Sequence, residues 1–422
     1  MAALEASERL PSKRWSSFVG WDYNGMKERL QTALRQIDKG ALVRHAERIT
    51  GQKLTMSQPF SAGQYWICFE MIAADRSLVI ARVRLPRHPN TPMTVIEEDE
   101  AYAISCEVAT MQFVRQRLSA VSLPCVYAYE GVGSQLATHV GAPYMLLEGF
   151  YGNALQDVEF DICNLDTKIQ ERIIAQWTRV QAELATLAYP QIGSISSISE
   201  SKEPIIGKLA TASAGGLRDL GPFSREVDYF TALGNAAAND PATRLGAFVF
   251  LDIVKTTDLF GSTCTDGSFP LNHMDLGTQN ILVDKEFNFI AIIDWEFAQT
   301  APWQVIHYPM PFPLLGPVED ILYDPSHIAY KNVFRQHAAR EIYKEKFRDV
   351  EGELKTSGRP LGGSFAATLD SPASRIYACF TNLGRILTAD TNLMYEMARL
   401  AFGLNPQGAE EYVEKIKRRH RL

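Results

Sequence analysis

The period of the apolar positions changes along the chain, and each change marks an element. Met26, Leu30, Leu34 and Ile37 recur at helical spacing. Three strand-like runs follow, LTMSQPF (54–60), QYWICFEMIA (64–73) and SLVIARVRL (77–85), the last two joined by a tight turn at Ala74, Asp75 and Arg76. An antiparallel sheet is the expected outcome. Its third run alternates, with Val79, Ala81, Val83 and Leu85 on one face and Ile80, Arg82 and Arg84 on the other. A helix is predicted over 97–118, striped by Ala101, Ile104, Val108, Met111, Val114 and Leu118. Glu107 interrupts that stripe and points toward the sheet, where an unpaired carboxylate is expensive, so a cation must meet it. Arg82 is the natural candidate; the alternatives are an Arg82 that points out from the sheet edge and a Glu107 that reaches solvent. After Pro124, CVYAY and PYMLLEGF read as two more strands.

From residue 151 the pattern turns helical. Ile169, Ile173, Trp177, Val180, Leu184 and Leu187 define one apolar face of a helix ending near Tyr189–Pro190. The Ser-, Gly- and Pro-rich segment 199–222 reads as a loop, and helical patterns resume at 224–260, 326–350 and 374–403.

At 422 residues the chain exceeds what one hydrophobic core usually fills, so two lobes are expected. No run of 18 apolar residues and no apolar leader appear, which argues against secretion and membrane spanning and for a cytoplasmic protein. A net charge of −7 argues against a nucleic-acid partner. The basic end KIKRRHRL follows Glu410, Glu411 and Glu414 and reads as a solvated terminal helix, the alternative being a patch for nucleic acid or anionic lipid. Six cysteines, at 68, 106, 125, 163, 264 and 379, form no C-x-x-C pair and fit reduced thiols.

Chemistry enters with LNHMDLGTQNILVD (271–284) and IIDWE (292–296). Asp275 and Asn280 stand five apart, in the H-x-D-x-x-x-x-N spacing of a kinase catalytic loop. The runs 281–284 and 289–294 read as a hairpin whose second strand delivers Asp294. Phosphoryl transfer from ATP needs such a set: Asp275 to orient the attacking hydroxyl, Asn280 and Asp294 to hold Mg2+ against the phosphates. His273 is read as a brace for the loop backbone.

With these residues the sequence resembles the aminoglycoside phosphotransferase and choline kinase-like superfamily, in particular its fungal members. The resemblance extends to ELATLAYPQIGSI (183–195), GPFSREVDYF (221–230) and VIARVRLP (79–86), and to Asp294-Trp295-Glu296 in place of the protein-kinase Asp-Phe-Gly. It implies a bilobal, protein kinase-like α+β fold: a helical extension over 1–50, an N-lobe of antiparallel sheet and one key helix over 51–150, and a mostly helical C-lobe over 151–422 holding the catalytic loop and acceptor pocket. ATP is expected between the lobes. Arg82 then stands where kinases carry the phosphate-binding lysine, with Glu107 as its helix partner. Glu148 and Phe150 mark the hinge that receives adenine. Gly63, in SAGQ (61–64), sits where a glycine-rich loop covers the phosphates, although a plain hairpin turn accounts for it equally well.

The expected reaction is transfer of the γ-phosphoryl group to a hydroxyl of a small molecule. The acceptor pocket is either acidic, using Glu319, Asp320 and Asp324, or apolar, lined by WQVIHYPMPFPLLGP (303–317). Two other classes stay open. A kinase-like scaffold would lack a base or metal residue, yet all three are present; a protein kinase would carry an A-P-E-type element after Asp294, where this chain reads TAPWQV.

Overall fold

The computed structural model describes residues 10–11, 26–63, 65–86, 96–210, 220–261, 267–385 and 389–422. The chain divides into two compact units, Met1–Val158 with Thr278–Asp294, and Glu159–Gly277 with Trp295–Leu422. It is an α+β protein, and all pairings among its described strands are antiparallel.

The first unit opens with helices α1 (Met26–Gln36) and α2 (Lys39–Thr50) and strands β1 (Leu54–Met56), β2 (Ser61–Ala62), β3 (Trp66–Ala73) and β4 (Leu78–Arg84). Next come α3 (Glu97–Arg117), β5 (Val126–Glu130), α4 (Gln135–Val140), β6 (Tyr144–Glu148), β7 (Asn153–Ala154) and α5 (Leu155–Val158). The sheet runs β1-β3-β4-β6-β5, with β2 also on β3. The β3–β4 turn is fixed by the Asp75 carboxylate, which accepts from the Ser77 amide at 2.9 Å and its hydroxyl at 2.7 Å, while Arg76 takes a left-handed φ of 70°. That turn sets the register, from Ile72 opposite Leu78 to Trp66 opposite Arg84.

Alternation then divides the faces of β4. Val79, Ala81, Val83 and Leu85 are buried with Ile67, Phe69 and Met71 of β3 against Leu30, Ala33, Ile37, Leu42 and Ala46. Helices α1 and α2, read from the sequence as an extension, thus form a layer on this face of the sheet. The other face carries Arg82 toward α3.

The second unit holds α6 (Thr167–Ala185), β8 (Ala188–Tyr189), β9 (Ile195–Ile198), β10 (Pro204–Ile206), α7 (Glu226–Ala237), α8 (Arg244–Thr256) and β11 (Phe269–Asn272). Strands β12 (Ile281–Val283) and β13 (Phe289–Ile292) belong to the first unit. The second resumes with β14 (Gln299–Thr300), α9 (Glu319–Tyr323), α10 (Tyr330–Thr356), α11 (Phe365–Thr368), α12 (Pro372–Thr381), α13 (Asp390–Phe402) and α14 (Pro406–His420). Its core is aromatic: Trp177 of α6 meets Phe312 and Tyr343 edge-on, and Phe230, Phe250 and Phe260 form a second group.

Several elements differ from the sequence reading, and the helical pattern 224–260 is two helices. Helix α6 stops at Ala185, because Ala188–Tyr189 pairs with Phe269–Pro270 as a strand. Segment 199–222 contains half of the β9–β10 hairpin, and its residues 211–219 lie outside the described part. The helical pattern 374–403 is two helices, broken near Gly384, whose φ of 75° a right-handed helix does not accommodate. No helix among the described residues is long and apolar enough to cross a membrane.

Candidate active site

Arg82 lies on β4, paired on one side with Cys68 of β3 and on the other with Met145 of β6. Its guanidinium donates to Glu107 Oε1 of α3 at 2.6 Å and to Asp294 Oδ1 at 3.1 Å. The pair demanded by strand alternation and the interrupted helical stripe is therefore present. Burial pushes the Glu107 carboxyl above its usual range and the Arg82 charge opposes that shift. Burial also pushes the facing Cys68 thiol up to about 11, the opposite of what a nucleophilic cysteine needs. The indole ring of Trp66, which the sequence reading passed over, lies 4.8 Å from the Arg82 guanidinium.

Asp294 reaches this pair through the predicted hairpin. Strands β12 and β13 pair Ile281 with Ile292 and Leu282 with Ala291. Asp284 holds the turn by accepting from the amides of Glu286 and Asn288 at 2.9 and 2.8 Å. Beyond the strands, the Ile293 amide donates to the Asn280 carbonyl at 3.0 Å, which sets Asn280 beside the residue preceding Asp294. Asp294 itself turns sharply, at a φ of 64°, a conformation in which aspartate is among the few tolerated side chains. One backbone hydrogen bond thus links Asn280 to the neighbour of Asp294, the two residues that the sequence reading expected to hold a metal.

At the end of β6, where the sequence reading expected a hinge, the Glu148 carboxylate accepts from Arg115 at 3.1 Å and from the Cys125 amide at 3.0 Å. The side chain therefore ties the end of β6 to α3 and to the segment before β5. The amides of Glu148 and Gly149 donate to the Cys125 and Leu78 carbonyls, each at 2.9 Å, while Phe150 follows beyond the strand, half-buried. Arg115 is a residue missed from sequence; it lies eight positions after Glu107, about two turns further along α3 and about 80° round it. Gly63 is exposed and donates to the Trp66 carbonyl at 2.8 Å, closing the β2–β3 hairpin. Among the described residues nothing lies within 4 Å of where its side chain would stand.

Asp275 belongs to the second unit, half-buried just after β11. That strand is held by β8 and β14 on its two sides. Met274 before it adopts a φ of 64°, and the Gly277 amide donates to the Asp275 carbonyl at 2.9 Å. Such a backbone, costly for methionine, persists where the surroundings over-determine it. His273 is buried edge-on against Trp295, with ring centres 4.7 Å apart, which makes it a packing brace for the loop.

A helix acid, a strand cation and an aspartate beyond a hairpin are thus joined by hydrogen bonds, as the sequence reading expected of Glu107 and Arg82. The family model for the "Phosphotransferase enzyme family" matches residues 83–305, more than half of the chain, and the protein belongs to that family. The matched region includes Glu107, Glu148, Phe150, Asp275, Asn280 and Asp294; Gly63 and Arg82 precede it. No curated protein sequence matches significantly. Among solved structures, a putative fructosamine-3-kinase from Thermobifida fusca is 13% identical, with a TM-score of 0.46, covering 86% of this chain and 99% of its own. A macrolide 2'-phosphotransferase from Brachybacterium faecium is 16% identical, with a TM-score of 0.39 and coverages of 89% and 97%. An amicoumacin kinase in complex with AMP-PNP and Ca2+ is 10% identical, with a TM-score of 0.43 and coverages of 92% and 94%. Family membership rests on the sequence match.

Proposed function

We propose that this protein transfers the γ-phosphoryl group of ATP to a hydroxyl group of a small molecule, with Mg2+ as the metal. The observation that carries this reading is the run of contacts from Glu107 through Arg82 to Asp294. The two carboxylates differ in a way that suits the task. The Glu107 side chain is fully buried and stays with Arg82, whereas that of Asp294 is 34% exposed and free to exchange its partner.

The donor set fits magnesium, a hard cation that takes one or two carboxylates and completes its shell with phosphate oxygens and water. Asp294 and Asn280 would hold it, and when bound it neutralises charge on the phosphoryl oxygens. Arg82, planar and permanently charged, binds phosphate oxygens in place of the usual lysine. Asp275, five residues before Asn280, orients the acceptor hydroxyl and takes up its proton. The described cysteines are free, which suits action in a reducing cytoplasm.

Incubation with ATP, Mg2+ and a panel of small alcohols, sugars, aminoglycosides and protein substrates, followed by mass spectrometry, tests the reading. A phosphorylated small molecule supports it; a phosphorylated protein alone moves the chain to the protein kinases.

A further inference from the structure

We infer that Trp66 is a positioning residue for Arg82, its indole ring lying under the guanidinium that Glu107 holds by a hydrogen bond. The inference rests on the nucleotide-phosphate role proposed for Arg82 and adds a residue to it. Trp66 begins β3 and pairs with Arg84, so it is the diagonal neighbour of Arg82 on the same face of the sheet. Its ring centre lies 4.8 Å from the Arg82 guanidinium and 5.2 Å from that of Arg84, both within the range of cation–π attraction. The indole is only 5% exposed, so little water screens the contact. Its N–H has no hydrogen-bond partner among the described residues, which leaves ring contacts as the account of its placement.

The need for such a contact follows from the chemistry. Bidentate recognition of phosphate depends on the orientation of the guanidinium plane. An indole ring beneath the guanidinium restricts that orientation. Trp66 also follows the β2–β3 turn directly, so this stack ties the turn that contains Gly63 to the strand that carries Arg82.

The test compares Trp66→Leu with Trp66→Phe, each alone and combined with Arg82→Lys, in steady-state kinetics with MgATP and in urea denaturation. Trp66→Leu is expected to raise the KM for MgATP about tenfold, the loss set by a partly buried cation–π contact, and Trp66→Phe to recover most of it. Arg82→Lys is expected to cost less in the Trp66→Leu background than in the parent, because orientation is already lost. If leucine and phenylalanine raise KM equally, or the effects on KM add while only those on urea stability are coupled, Trp66 merely fills the core and the inference is wrong. A folded parent that binds no MgATP overturns the underlying site reading instead, and this inference with it.

Discussion

Arg82 is the residue on which the proposed chemistry turns, and its surroundings set what its removal costs. It is the cation that meets Glu107, whose second carboxylate oxygen is buried without a hydrogen bond among the described residues. Breaking one side of a buried pair costs about 3–5 kcal/mol, mostly the penalty on the charge left behind. Arg82→Ala and Glu107→Ala are each expected to lower urea stability by about 3 kcal/mol, and the double variant by much less than their sum. Additive losses would show that the pair is not a unit. Asp275→Asn is expected to leave MgATP affinity within about threefold of the parent while slowing turnover by about two to four orders of magnitude. An equal loss of affinity and turnover would make Asp275 a structural residue. The Arg82–Glu107 pair was legible from one strand alternating with period two and one helix interrupted by a charge. Trp66 was hidden because the ring belongs to a run, 64–73, that is mostly apolar and shows no clear alternation. Counting register back from the Asp75 turn places it beside Arg84.

Helix α3 links the two ends of the first unit's site. Glu107 meets Arg82, and two turns later Arg115 donates to Glu148 and, at 2.8 Å, to the Leu123 carbonyl. The loop after the helix also receives the amide of Ile292 at the Ser122 carbonyl, 2.8 Å away, so the strand leading to Asp294 is tied to the same element. Arg115→Ala is therefore expected to raise the nucleotide KM several-fold with little change in stability, since the Arg115 side chain is 46% exposed and the ion pair itself is weak. A stability loss without a change in KM would confine Arg115 to holding the fold. On the opposite face of the sheet, His45 of α2 shares a hydrogen bond with the Tyr144 hydroxyl at 2.6 Å. Burial lowers its pKa from the ordinary 6.5, so as pH falls the unfolded chain takes up the proton first. Stability is expected to fall as pH drops through the ordinary histidine value of 6.5, and His45→Gln to flatten that slope in urea titrations. Long elements with a clear period, the β3–β4 hairpin and α3, were legible in sequence. The two-residue strands β8 and β14 were not, since so short a segment has no period and its pairing comes from tertiary neighbours.

For the whole molecule, the chain's path explains why its first unit cannot be read as one continuous segment. Thr278–Asp294 returns to that unit, where β12 pairs Leu282 with Ala154 and Val283 with Asn153. Asn280 and Asp294 arrive with it. A period-based reading sees a hairpin at 281–294 and has no means of assigning it to strands more than 120 residues earlier. Because binding to the native state alone stabilises it, MgATP at about a hundredfold above its Kd is expected to add about 2.7 kcal/mol. The part of this gain that depends on magnesium should vanish in Asp294→Ala. The central claim, phosphoryl transfer assisted by Asp294, is tested most directly by mass spectrometry of acceptor panels incubated with MgATP and either the parent or Asp294→Ala, both shown to be folded by circular dichroism. The account predicts a singly phosphorylated small molecule and equimolar ADP from the parent, and a rate lower by several orders of magnitude from the variant. Equal product from both proteins would contradict it.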